Sequence, residues 1–400
     1  MKRRISISVI LSLVLLITSI TLSVTLKAST PQLSTTTSHS LTTDNETAEE
    51  MRGLWVSYLS LDMQESDKTV DTFVKKFRDI IEQAIKYKCN TLIVQVRPFC
   101  DALYNSSYFP YSHILSGTQG VSPDYDALEY MCKAAHENNL KIHAWVNPLR
   151  IATSYSTFTL AENNPYIENP NIAFKTESGI YLNPANADAR ELIINGIKEI
   201  AENYEVDGIQ FDDYFYPSEI ADEDENEYNT YKASVKDSNR LLSVSQWREN
   251  NINLLISEVY RTIKTADENV LFGISPQGNL DNNKSLYANP TLWCETQGYI
   301  DYICPQLYFS ISNPTLSFQQ ALNDWRAITY HKNIKVYIGL AVYKAGTEED
   351  NSTWALSDTI LKDELLLLRE YKFDGFMLYE YRSLKEENAQ KELLNFSDSI

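Results

Sequence analysis

From Met51 onward, short apolar runs alternate with stretches in which apolar residues recur every three to four positions. Alternation with a period of two marks a strand, and a period near 3.6 marks an amphipathic helix. Strands are predicted over residues 52–60, 90–97, 140–147, 206–212, 270–275, 302–308, 334–343 and 373–381. Helical patterns separate them over 71–87, 125–138, 188–203, 245–265, 318–329 and 356–371, with a short one near 290–296. Strand–helix alternation argues for a parallel sheet, and eight such units argue for an α/β fold closed into a (β/α)₈ TIM barrel. Each helix runs into the next strand over a few residues, whereas the segments leaving strands are long: 98–123, 148–187 and 213–244. In a barrel those long loops share the C-terminal face, where active sites are built.

Side chains alternate along a strand, so parity separates positions that face the helices from positions that face the barrel interior. On the second strand Leu92, Val94 and Val96 share one parity, and Gln95 and Arg97 the other. On the third, Ile142, Ala144 and Val146 oppose His143, Trp145 and Asn147; on the fourth, Ile209 and Phe211 oppose Gln210 and Asp212. The fifth strand sets Phe272 and Ile274 against Gly273, Ser275 and Gln277, and the sixth contributes Gln306 and Tyr308. The polar sets are expected to line the mouth. Buried polar groups must be paired, so such a lining is costly to keep for stability alone and suits a ligand rich in hydroxyls. Trp145 and Tyr308 are expected to offer ring faces to a sugar, and Arg97 to hold a hydroxyl or carboxylate. One such residue would be unremarkable in a core; seven on matching strand ends, Arg97, His143, Trp145, Asn147, Asp212, Gln306 and Tyr308, point to a site.

Ahead of this region, Met1-Lys2-Arg3-Arg4 leads into an apolar run to about Leu26. A basic segment before an apolar one is an export signal, and ~20 apolar residues also suffice to span a bilayer. Residues 1–28 are therefore expected to be a signal peptide or a membrane anchor. Either leaves the basic flank inside and exports the rest, to the cell surface or beyond. Residues 29–50, rich in Ser and Thr without an apolar period, are expected to be a polar linker, and 51–400 a single barrel.

The formal net charge of −19 repels phosphate backbones and disfavours nucleic acid as a partner. Five cysteines, none in a CxxC pair, indicate no disulfide framework. Five histidines without HxH or HExxH spacing argue against a catalytic zinc, and no glycine-rich phosphate loop suggests a nucleotide, so no cofactor is expected. The acidic run over 219–227 is read as a solvated loop, with a calcium site as the alternative. Aromatic content of 12% suits either a large core or sugar-stacking surfaces.

Carboxylates carry the chemistry. Glycoside hydrolysis generally uses two, one donating a proton to the leaving oxygen and one acting as nucleophile or activating water. In the segment running from Val206-Asp207-Gly208 through Asp212-Asp213 to Pro217, Asp207 opens the strand and is read as structural, as is Asp374 on the eighth. Asp212 closes the strand with inward parity, and Asp213 is free to turn in beside it. Glu380, at the end of the eighth strand, is the alternative second carboxylate, with an ion pair to Arg382 or Arg97 as its competing role.

These residues resemble the glycosyl hydrolase-like 10 family over about 51–384. The motifs are Met51-Arg52-Gly53-Leu54-Trp55-Val56, Val94-Gln95-Val96-Arg97-Pro98 with Asp101-Ala102-Leu103-Tyr104, and His143-Ala144-Trp145-Val146-Asn147-Pro148. Asp207 to Pro217, Trp247-Arg248 with Asn251, Ile274-Ser275-Pro276, and Pro305-Gln306-Leu307-Tyr308 complete them. The resemblance implies a TIM barrel and a glycoside hydrolase acting on a polysaccharide; at least one member acts on peptidoglycan strands stripped of peptides. The Gly208–Asp212 spacing is also similar to the nucleophile strand of α-amylase-type barrels. Gln210 stands where those have Arg, however, and Ser275 and Gln277 occupy the strand that would supply their acid. The alternatives to a hydrolase are a non-catalytic glycan-binding protein on the same barrel and a barrel enzyme of unrelated chemistry.

Overall fold

A computed structural model describes residues 50–329 and 333–400; the segments expected to be a signal peptide or membrane anchor and, before Glu50, a polar linker lie outside the described residues. Glu50 itself is tied to the barrel, since both of its carboxylate oxygens accept from the Arg369 guanidinium at 2.8 Å. Eight parallel strands close into a barrel: β1 (Met51–Val56), β2 (Thr91–Arg97), β3 (Lys141–Val146), β4 (Gly208–Phe211), β5 (Leu271–Ile274), β6 (Tyr302–Ile303), β7 (Lys335–Ala341) and β8 (Gly375–Tyr379). Each strand pairs with its sequence neighbours, and β8 pairs with β1. The outer helices that alternate with them are α1 (Val70–Lys86), α2 (Ala127–Glu137), α3 (Ala187–Asn203), α4 (Val244–Ala266), α5 (Pro290–Glu295), α6 (Phe318–Ile328) and α7 (Ile360–Glu370), followed by α8 (Gln390–Ser397).

The predicted order of elements holds, with three local departures, one of which is a helix over Glu225–Ser234 in the segment 213–244 expected as loop. The sixth strand has only two residues in the regular ladder; Pro305 has no N–H to donate, and beyond it the pairing continues as single bridges of Gln306 with Gln277 and with Gly339. The stretch 148–187, expected as loop, carries a small antiparallel sheet of Arg150–Thr153, Ala173–Lys175 and Gly179–Leu182 beside the third strand's end.

Strand parity divides the core in two. Leu54, Leu92, Ile142, Ile209, Phe272, Ile338 and Leu378 join the layer between strands and helices, while Trp55, Ile93, Trp145, Tyr302, Cys304, Tyr337 and Met377 fill the barrel itself. Large rings inside the barrel need small residues opposite them. A Cβ on Gly208 would lie 2.8 Å from the His143 ring, and one on Gly273 would lie 2.1 Å from the Tyr302 ring. The barrel base is pinned by acidic residues entering the strands. Asp207 accepts from the Ile142 amide at 2.8 Å, Asp301 from Phe272 at 2.7 Å, and Asp374 from Val336 at 3.0 Å. Asp207 and Asp374 thus have the structural place expected of them. All five cysteines are buried and free.

One carboxylate in the outer layer works against stability. Glu364 on α7 is fully buried and neither carboxylate oxygen has a hydrogen-bond partner. Burial, reinforced by the charge of nearby Glu392, raises its pKa well above the carboxylate range. Glu392 is better placed, accepting from the Ile360 and Leu361 amides at the start of α7 at 3.0 and 3.1 Å. A carboxyl with a raised folded-state pKa contributes stability that is present below its unfolded value and lost as pH rises. Glu364→Met, which fills the space without a charge, is therefore expected to stabilise the protein by about 1–3 kcal/mol at pH 8 and by much less at pH 4.5. Urea titrations at the two pH values test this; equal shifts at both would remove ionisation as the cause.

Candidate functional site

The last residues of β4 deliver Asp212 and Asp213 to the C-terminal mouth of the barrel, where they are 3% and 6% exposed. Their surroundings differ. Asp212 Oδ2 accepts from the Trp145 indole N–H at 2.9 Å and from the Asn147 amide at 3.0 Å, both at the end of β3, and its Oδ1 accepts weakly from the Tyr214 backbone at 3.3 Å. Asp213 accepts from the Gln306 side-chain amide at 3.0 Å and from that of Gln277. The two glutamines come from the loops after β6 and β5, which touch through a bridge between Gln277 and Gln306. Gly278 permits the contact: a Cβ there would lie 1.9 Å from the Gln306 carbonyl oxygen.

Burial, and next the neighbouring Asp213 charge, push the Asp212 carboxyl up to about 7. Burial also raises Asp213, against the amide hydrogen bonds from Gln306 and Gln277 that favour its charged form. Two adjacent buried carboxylates do not readily ionise together, so the pair holds a proton near neutrality. That is a proton donor beside a carboxylate, in a site largely screened from water.

Aromatic rings frame the pair. Tyr379, ending β8, stacks on Tyr308 at 5.5 Å and meets Trp55 edge-on at 5.8 Å; Tyr343 closes on both tyrosines at 5.8 and 6.0 Å. On the other side the Arg150 guanidinium lies over Phe99 at 4.9 Å and over Tyr214 at 5.3 Å. Tyr214 and Tyr343 are exposed and offer ring surface to a ligand.

Of the residues expected in the mouth, Asp212, Asp213, Trp145, Asn147, Gln277, Gln306 and Tyr308 are brought together there. Trp145 is 6% exposed, so its contribution is the N–H on Asp212 rather than an open ring face. His143 and Gln210 are fully buried one layer below, joined through Tyr302, whose hydroxyl lies 2.9 Å from His143 Nδ1 and donates to Gln210 Oε1 at 3.1 Å. Burial lowers the His143 pKa to about 4, which keeps the ring neutral near pH 7. They pack beneath the site instead of reaching a ligand.

Arg97 departs furthest from expectation. The ladder between β2 and β3 shifts register between Gln95 and Arg97, so Arg97 pairs with the outward-facing Val146. Its side chain is buried away from the mouth, over the Phe109 ring at 4.5 Å, against the space left by Gly196 of α3. Glu380 takes the competing role named for it, accepting from Arg382 Nε at 2.8 Å, while its other oxygen is buried without a partner. In the acidic run, Asp224 is committed to a buried pair with Arg248. Arg150, Tyr214 and Tyr379 were not picked out from sequence. Tyr379 has the parity of Met377 and so faces the barrel interior; Arg150 and Tyr214 lie beyond the ends of the barrel strands, where parity has no hold.

Comparison with known proteins gives a consistent picture. Residues 50–356 match the family described as glycosyl hydrolase-like 10. Glycosyl hydrolase YngK of Bacillus subtilis is 31% identical over 370 residues, covering 88% of this chain and 71% of that protein. Glycosyl hydrolase DigH of Escherichia coli K12 is 30% identical over 337 residues, covering 76% of each. Among solved structures, the PgaB (BpsB) glycoside hydrolase domain of Bordetella bronchiseptica superposes with a TM-score of 0.57 over 87% of this chain and 99% of that domain. Its identity is 12%, so it speaks to the fold alone.

Proposed function

Because the chain belongs to the glycosyl hydrolase-like 10 family and is a glycoside hydrolase, we propose that it cleaves the glycan strands of the bacterial cell wall, with Asp212 and Asp213 as its reacting carboxylates. The observation that carries the chemistry is the pair itself: two buried aspartates at a barrel mouth, the carboxyl of one pushed up to about 7. In this reading Asp212 donates its proton to the leaving glycosidic oxygen. Asp213, whose charged form two amide donors favour, faces the positive charge that develops on the sugar until a water adds its oxygen to the anomeric carbon and gives up the proton that restores the pair. The rings of Tyr214, Tyr308, Tyr343 and Tyr379 give the apolar faces of successive sugars a surface to rest on. Export by the basic and apolar N-terminal segment would bring the site to a substrate outside the membrane.

The test is incubation of the purified protein with peptide-free wall glycan strands, followed by mass analysis. Soluble fragments carrying one added water per cleaved bond are expected. Binding without fragments would favour a silent glycan-binding protein on the same barrel. Cleavage of other polysaccharides but not this one would move the substrate and leave the reaction class.

A further inference from the structure

We propose that Arg150 is the specificity-determining residue of this site, and that it reads a carboxylate carried by the sugar beside the aspartate pair; the proposal rests on the glycan-cleaving reading above. A protein with net charge −19 repels an anionic polymer overall, so a carboxylated glycan needs a fixed cation where it docks. Arg150 is built as one. Its Nε donates to the Pro98 carbonyl at 2.9 Å, and its guanidinium is held between the rings of Phe99 and Tyr214. Its backbone N–H donates to Asn147 Oδ1 at 3.2 Å, and the amide of the same Asn147 side chain donates to Asp212. One side chain therefore sets the arginine in register with the proton-donating carboxyl.

What remains is the outer fork of the guanidinium. Among the described residues no carboxylate forms an ion pair with Arg150, although its charge lowers the pKa of both Asp212 and Asp213. The arginine thus acts on the pair electrostatically without closing onto it in an ion pair. Two other basic groups near the mouth are engaged, Lys344 with Asp350 and Arg382 with Glu380. The outer Nη1–Nη2 edge of a planar fork matches a carboxylate in two-point contact better than it matches a lone hydroxyl. A bound carboxylate would also be kept from adding uncompensated negative charge beside the aspartates.

The experiment uses the full chain and two forms of one glycan, peptide-free wall strands with free carboxylates and the same strands with those groups converted to neutral amides. The parent enzyme is expected to lose kcat/KM on the order of 10²-fold on the amidated form, the scale of a hydrogen-bonded charge contact. Arg150→Gln should lower activity on the carboxylated form by a similar factor and abolish the difference between the two; Arg150→Lys should restore part of it. A parent that cleaves both forms equally well overturns this proposal and leaves the glycosidase reading standing. A parent that neither binds nor cleaves either form overturns both. Equal losses by Arg150→Gln on the two forms, with a displaced pH profile, would show that the arginine acts on the aspartates alone and would also overturn it.

Discussion

Asp212→Asn is expected to lower kcat/KM by roughly 10²–10⁴-fold while folding and glycan binding persist. The replacing amide has the same shape, and its oxygen can still accept from Trp145 and Asn147, the two stronger partners. Only the 3.3 Å contact from the Tyr214 amide would meet a donor instead of an acceptor. What is lost is the titrating proton. With the Asp212 carboxyl pushed up to about 7, the donor form predominates below that value, so parental activity should fall as pH rises through it. Stability supplies an independent readout of the same group. Its raised pKa means that folding stability is lost between the ordinary carboxylate range and about 7, so the variant should be at least as stable as the parent above pH 7. Asp213→Asn should be comparably harmful if that carboxylate faces the reacting sugar. Glu380→Gln, acting on a group already paired with Arg382, should be milder. Near-normal turnover by Asp212→Asn would end the assignment and turn attention to Asp213 with Glu380.

The barrel was legible because its physics is periodic. Alternation set apolar residues toward the helices and left Gly273 and Trp145 facing inward, and the inner and outer layers of the core follow that division. The same rule brought Trp145, Asn147 and Asp212 to one mouth. It misplaced Arg97 because a register shift of one position exchanges the faces of a strand, and nothing in Val94-Gln95-Val96-Arg97 announces the shift. It overstated His143 and Gln210 because parity gives direction and not depth; both point inward and stop one layer short. The partners of Asp213 could be named from their strands, but not their meeting, which depends on Gly278 letting one loop press against the Gln306 carbonyl. Arg150 was out of reach for a similar reason. Its place is set by the Pro98 carbonyl and by two rings from loops distant in sequence.

A second large effect is expected away from the reacting groups, at the anchor of the loop that leaves β4. Arg248 of α4 and Asp224 are 3% and 1% exposed and meet in a two-point contact, with Nε on one oxygen at 2.9 Å and Nη2 on the other. The remaining guanidinium donors reach the Ala221 carbonyl at 2.8 Å and the Tyr287 hydroxyl at 2.9 Å, so one side chain fastens the loop to α4 and to the segment before α5. A pair of this kind need not be more stable than a well-packed apolar substitute, but removing one partner strands the other charge in the interior. Arg248→Met should therefore destabilise the protein by about 3–5 kcal/mol. The double variant Arg248→Met, Asp224→Leu should recover a large part of that loss, because no charge is left unpaired. Denaturant midpoints of the parent, both single variants and the double variant form the cycle that measures the coupling. Losses that simply add would mean that the two side chains contribute separately. A loss well under 1 kcal/mol for Arg248→Met would mean that water reaches Asp224 once the arginine is gone, and that the loop is held by its other contacts.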